Sequence, residues 1–99
     1  MLESNLQRQY ETMFILSPDL DEEGTEKLVE KFSNLLSNSA KLDNLEKIGR
    51  KKLAYPINYK TEGYYVLANF NAETSFPHEL ERQFKITDGV LKYLVVKKD

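Results

Sequence analysis

Two segments with the apolar spacing of a helix separate four segments of strand character in this 99-residue chain. In residues 21–37 and 75–86, apolar side chains recur three or four positions apart and form one stripe on each predicted helix. Aromatic and β-branched residues predict strands at residues 8–16, 42–59, 64–70 and 90–97, with a turn at residues 60–63. The order β-α-β-β-α-β predicts a ferredoxin-like α+β fold: a four-stranded antiparallel sheet with two helices on one face.

The chain length and the lack of any linker predict a single domain over residues 1–99, with residues 1–7 as a flexible N-terminal extension. Its first residues lack the apolar core of a secretory signal, so we expect no export. No apolar run approaches the ~20 residues that a membrane-spanning helix needs. The absence of cysteine excludes a disulfide framework, a thiol nucleophile and a cysteine-ligated zinc site.

Charged side chains are distributed unevenly, although the chain carries a formal net charge of −2. A slightly acidic total argues against a nucleic-acid-binding protein. Residues 1–40 hold eight acidic and three basic side chains, whereas residues 41–60 hold six basic and two acidic ones. This basic central segment either contacts phosphate groups locally or forms the solvated end of a strand.

The predicted sheet has apolar residues on both faces. Two helices cover one face of such a sheet, so the residues that point to the other face should be mostly polar. In the first, third and fourth predicted strands both alternating sets are apolar or aromatic, so periodicity does not decide which set meets the helices. The remaining set forms a surface that binds a partner or that another segment of the chain shields.

Groups suited to catalysis or metal binding are few. Acidic residues cluster where the first helix begins, and Asp19 and Glu22 have the spacing of a capping box. The single histidine, His78, falls in the first turn of the second helix, where a surface or capping role is usual. The glycines are isolated, so the chain has no phosphate-binding loop. We therefore expect no enzymatic activity, no cofactor and no metal site.

Three stretches together are similar to one known family. They are residues 10–20 (YETMFILSPDL), residues 49–57 (GRKKLAYPI) and residues 90–97 (VLKYLVVK). In order and spacing the chain resembles the bacterial-type small-subunit ribosomal protein six family, from about Arg8 to Lys98. The resemblance implies a non-enzymatic structural component of the small subunit, in the cytoplasm of a bacterium or in a plastid ribosome. Its implied partners are 16S rRNA in the central domain, or platform, and small-subunit ribosomal protein eighteen, with which the family forms a heterodimer.

The resemblance assigns RNA contacts to the basic residues after Gly49 and to Arg8, while glutamine replaces a second N-terminal basic residue of the family. Lysines of the last strand either add phosphate contacts or solvate that strand. The candidate RNA-binding residues are Arg8, Arg50, Lys51, Lys52, Lys92 and Lys97. The candidates for base stacking or for contact with a partner protein are Tyr10, Tyr55, Tyr65 and Tyr93, of which Tyr55 is expected to pack against a turn.

Two other interpretations remain open from the residues alone. An RNA recognition motif has the same element order, but its third strand begins with a basic residue where this chain has Glu62. A protein-interaction module without RNA contact is the other alternative. Strand alternation also predicts that Arg50 and Lys52 point to one face of the sheet and Lys51 to the other, so that the three do not form one cluster.

Overall fold

The computed structural model describes residues 7–98. Its elements are β1 (Gln7–Leu16), α1 (Glu22–Ser39), β2 (Lys41–Ile57), β3 (Lys60–Glu73), α2 (Phe76–Ile86) and β4 (Val90–Lys97). The strands form one antiparallel sheet in the order β2-β3-β1-β4. The predicted ferredoxin-like architecture is confirmed. Of the predicted flexible extension, residues 1–6 lie outside the described residues, and Gln7 is the first residue of β1. Neither described helix is long and apolar enough to cross a membrane.

The N-cap of the first helix lies two residues after the predicted one. Asp21 is its N-cap, and its carboxylate accepts a hydrogen bond of 2.7 Å from the Gly24 amide. The prediction that Asp19 caps this helix is therefore wrong. Asp19 instead forms an ion pair with Lys60 at the start of β3, which ties the β1–α1 loop to the neighbouring hairpin.

An aromatic cluster holds the helices on the sheet. The rings of Phe14, Phe32 and Phe84 come from β1, α1 and α2, with centroids 4.6–5.2 Å apart. All three side chains are almost completely buried. Offset contacts of this kind stabilise a core beyond the burial of apolar area alone.

This packing decides which residues of each strand face the helices. Phe14 of β1 and Val66 of β3 pair across the sheet and belong to the buried core. Tyr93 of β4 stacks on Phe84 at 5.2 Å and so lies on the same side. The alternate residues, among them Met13 and Leu94, lie on the opposite side of the sheet, called the open face below.

The β2–β3 hairpin turns earlier than predicted. Asn58 and Tyr59 form a two-residue turn with φ angles of 49° and 66°, and β3 starts at Lys60. The predicted turn at residues 60–63 is therefore wrong, and these residues extend β3. Because β1 pairs with β3 only as far as Tyr64, residues 60–63 and the tip of the hairpin project beyond β1.

A large bulge in β2 brings part of the hairpin over the open face. The β2–β3 pairing passes from Lys52 opposite Glu62 to Ile57 opposite Lys60, so residues 53–56 have no regular partners. Residues 53–57, called the strap below, line a groove together with the open face. Under this cover Leu53 is 8% exposed and Ile15 only 4%. The strap thus shields part of the second apolar face.

Alanine at Gly63 should destabilise the domain, because a Cβ at this position would lie 2.3 Å from Cγ2 of Ile15 and 3.2 Å from the Leu16 carbonyl oxygen. We expect Gly63→Ala to lower the free energy of unfolding by about 1–3 kcal/mol, measured by chemical denaturation. In an Ile15→Ala background, which lacks the obstructing methyl group, the same change should cost much less. An equal cost in both backgrounds would contradict this explanation.

The second helix carries an ion pair on its exposed side. Arg82 donates two hydrogen bonds, of 3.0 and 2.9 Å, to the two carboxylate oxygens of Glu79. These bonds, with a further one from Gln83, lower the pKa of the Glu79 carboxyl to about 2. A pair of this spacing supports the helix modestly.

Candidate nucleic-acid interface

Half of the basic side chains in residues 41–60 are held by carboxylates of the same chain. Lys47 pairs with Glu26 of α1 at 3.3 Å, Arg50 pairs with Glu62 at 3.4 Å, and Lys60 pairs with Asp19. The acidic first third of the chain therefore compensates part of the basic segment directly. The surplus of positive charge is left at the other three lysines, Lys41, Lys51 and Lys52.

Arg50 has a structural role in the hairpin. Its guanidinium donates a hydrogen bond of 3.0 Å to the Pro18 carbonyl as well as contacting Glu62. It thereby fastens β2 to the loop between β1 and α1. Its side chain remains 52% exposed, so an approaching phosphate can share it with these partners.

Lys51 and Lys52 are exposed cations of the hairpin. No carboxylate of residues 7–98 lies within ion-pair distance of either ammonium group. Lys51 reaches over the Tyr65 ring, 5.8 Å from its centroid, on the open face. Arg50 turns towards the other side of the sheet, as strand alternation predicts.

Lys92 is engaged by the strap. Its ammonium group donates a hydrogen bond of 2.6 Å to the Tyr55 hydroxyl and lies 4.9 Å from the centroid of the same ring. This double contact spans the groove from β4 to the strap. Lys92 therefore holds Tyr55 in place across the groove.

Arg8 and Lys97 lie at the other end of the sheet. Arg8 pairs with Ala72, and Lys97 pairs with Tyr10. Arg50 pairs instead with Tyr64, which is opposite Leu16 at the far end of β1. Eight residues of strand separate the two ends, about 27 Å at the usual rise per residue. The candidate RNA-binding residues therefore form two separate basic groups.

The four tyrosines singled out from the sequence fall into two pairs. Tyr10 is 6% exposed and stacks on Phe70 at 5.6 Å, and Tyr93 stacks on Phe84. Tyr10 is a core residue on the helix side, which corrects the expectation that its ring faces a base or a partner. Tyr93 is partly buried, and its ring packs against that core. Tyr65 and Tyr55 line the groove on the open face, and Tyr55 is 56% exposed.

The groove between the strap and β4 is mostly apolar. Its volume is about 290 Å³. Its walls are formed by Met13, Ile15, Leu53, Ala54, Tyr55, Ile57, Tyr65, Lys92, Tyr93 and Leu94. Leu94 is 52% exposed and Val96, further along β4, is 40% exposed. The part of the open face that the strap leaves uncovered is therefore an apolar patch available to a partner.

Sequence reasoning missed Tyr59. Its side chain is 100% exposed at the tip of the hairpin. The residue pattern instead predicts that Tyr59 ends a long strand and that the turn follows at residues 60–63. Asn58 is the only signal for the true turn, since asparagine tolerates positive φ better than most residues.

Comparison with known proteins covers nearly the whole chain. A family model described as Ribosomal protein S6 matches residues 9–97. The chain is 54% identical over 93 residues to the small ribosomal subunit protein bS6 of Thermoanaerobacter pseudethanolicus, an alignment that covers 93% of this chain and 98% of the relative. It is 52% identical over 90 residues to the protein of the same name from Clostridium novyi, covering 90% and 95%.

The crystal structure of 30S ribosomal protein S6 from Thermotoga maritima has the same fold. The TM-score is 0.88 at 31% identity, covering 93% of this chain and 88% of the other. The similarity in sequence and the similarity in structure thus each cover 93% of this chain.

Proposed function

Because the chain belongs to the ribosomal protein S6 family, we propose that it binds 16S rRNA jointly with small-subunit ribosomal protein eighteen. Members of this family are structural, non-enzymatic proteins of the small ribosomal subunit. Its relatives are bacterial ribosomal proteins, so the chain acts in the cytoplasm, on the ribosome. The proposed site of binding is the central domain, or platform, of the subunit. The two contacts use different surfaces of the molecule.

The exposed lysines of the hairpin support the RNA contact. Lys51 and Lys52 have no carboxylate partner among residues 7–98, in a chain whose net charge is −2. Cations left unpaired beside a compensated segment bind phosphates without first breaking an internal ion pair. Arg50 contributes from its partly exposed guanidinium. Arg8 and Lys97 provide a second, separate phosphate contact at the other end of the sheet.

The uncovered part of the open face supports the protein contact. Leu94 and Val96 are exposed apolar side chains beside the groove. A net charge of −2 supplies little long-range attraction to RNA. A second protein seated on this patch would add apolar contact area and its own cations. Joint binding therefore fits the surface better than independent binding to RNA.

The RNA recognition motif alternative fits the structure less well. That motif stacks two or three bases on exposed aromatic residues of its sheet. The open face here presents a single tyrosine of β3, Tyr65, and the strap and Lys51 stand over it. Because the strap and Lys51 cover Tyr65, the structure favours contact with phosphates over base stacking on the sheet.

Charge reversal of the two lysines tests the RNA contact. We expect Lys51→Glu/Lys52→Glu to weaken binding to a central-domain 16S rRNA transcript, with small-subunit ribosomal protein eighteen present, about 10- to 100-fold at moderate salt. The slope of log K against log salt should fall by about 2, one for each lost phosphate contact. Filter binding across a salt series measures both quantities.

A matched variant separates local contact from total charge. Lys27→Glu/Lys85→Glu changes the net charge equally at exposed positions of α1 and α2, and it should leave the salt slope unchanged. Binding of the partner protein alone should survive in both variants. If the hairpin variant binds the transcript as tightly as the native chain, the lysines do not contact RNA. The chain would then join the subunit through protein contacts alone.

A further inference from the structure

The turn of the β2–β3 hairpin carries an unfavourable residue. Both of its central residues have positive φ, 49° at Asn58 and 66° at Tyr59. Two-residue turns of this geometry strongly prefer glycine at the second position, because only glycine adopts it without steric cost. Tyr59 occupies that position. A bulky aromatic residue in the left-handed region is a departure that local folding preferences do not explain.

No burial of the Tyr59 ring among residues 7–98 compensates for this departure. The Tyr59 side chain is 100% exposed, so within the described chain it buries no area. The turn also stands clear of the central strands, because residues 60–63 extend beyond the last pair of β1 and β3. Strained residues that persist without a local benefit are frequent at binding sites.

The surroundings of this ring favour nucleic acid over protein. Lys51 and Lys52 lie on the same hairpin without carboxylate partners among residues 7–98. The neighbouring carboxylate of Asp19 is neutralised by Lys60. An aromatic ring at the tip of a basic hairpin combines stacking with phosphate neutralisation, which is the usual way in which single-stranded RNA is bound.

We propose that Tyr59 stacks on an unpaired base of the rRNA when the hairpin lysines contact its backbone. This inference rests on the proposed function, since it assumes that the hairpin meets RNA. It adds a base contact to what would otherwise be phosphate contacts alone. The ring is fully exposed at the end of the hairpin, where a base turned out of a helix can reach it.

A fluorescent substitution tests the contact directly. The chain contains no tryptophan, so Tyr59→Trp introduces a single indole at the tip of the hairpin. We expect its emission to be quenched when the 16S rRNA central-domain transcript is added with small-subunit ribosomal protein eighteen, because the indole stacks on a base. Ile86→Trp, at an exposed position at the end of α2, is the matched control and should not respond.

Affinity and stability measurements on further variants make the test independent of fluorescence. Tyr59→Phe should bind the transcript like the native chain, whereas Tyr59→Ala should bind it about 5- to 150-fold more weakly. Tyr59→Gly should also bind weakly while its melting temperature rises by about 4 °C, because glycine removes the strain of the turn. Opposite changes in stability and affinity would not result from a purely structural role.

The outcomes distinguish this inference from the function on which it rests. If the Tyr59→Trp protein binds the transcript without quenching, and Tyr59→Ala retains native affinity, the stacking contact is refuted and the proposed function stands. If quenching occurs on addition of small-subunit ribosomal protein eighteen alone, the ring contacts that protein and the inference is wrong. If the native chain fails to bind the transcript with its partner, the proposed function fails first.

Discussion

Replacing Phe32 with alanine is expected to remove about 3–5 kcal/mol from the free energy of unfolding, a large part of what a domain of this size possesses. The side chain is 0% exposed and contacts rings from two other elements, Phe14 at 5.2 Å and Phe84 at 4.6 Å. Its loss leaves a cavity between α1, α2 and the sheet. Denaturant titration followed by circular dichroism measures the effect.

Two controls accompany this measurement. Phe32→Leu fills much of the same volume and should cost clearly less than alanine. Ile86→Ala, at a position that is 61% exposed, should change stability by less than about 0.5 kcal/mol. If Phe32→Ala costs less than 1 kcal/mol, then the three rings are not the centre of the core.

A carboxylate at Leu94 should have the largest effect on assembly. Leu94 is 52% exposed and lines the groove on the open face. A partner protein seated there would bury the new charge without a counterion, which is strongly unfavourable. We expect Leu94→Asp to weaken binding of small-subunit ribosomal protein eighteen by about 100-fold or more, measured by calorimetry.

The matched control for this substitution is Ile86→Asp. It introduces the same charge at an exposed apolar residue of α2, and it should leave partner binding unchanged. Both variants should fold, which their circular dichroism spectra check. Native affinity in the Leu94→Asp protein would show that the partner does not use the open face.

The order of the elements was predictable because a periodic stripe of apolar residues identifies each helix. In α1 the stripe contains Val29, Phe32 and Leu36, which are the residues that the sheet buries. The assignment of sheet faces was not predictable. Met13 and Ile15 are as apolar as Phe14 and Leu16, so alternation gives two equivalent solutions. Only the stacking of helix residues on Phe14 and Tyr93 distinguishes them.

The basic segment is visible in the sequence, but the turn of its hairpin lies earlier than predicted, and the environment of its residues depends on long-range contacts. The hydrogen bond from Arg50 to the Pro18 carbonyl joins positions 32 residues apart, which no local pattern indicates. The bulge that forms the strap likewise follows from packing of Leu53 on the open face. The separation of Arg8 from Arg50 follows from strand register, which short sequence patterns do not determine.

The central position of β1 has a consequence for how the chain folds. Its Thr12 hydroxyl donates a hydrogen bond of 2.8 Å to the Leu94 carbonyl, 82 residues away in sequence. A β1–β3 sheet can form earlier, yet one edge of β1 remains without hydrogen-bonded neighbours until β4 docks. Closure over so long a segment slows folding, and an open edge invites pairing with other chains. Of the four strands of the sheet, the one that closes this edge is the last to be synthesised.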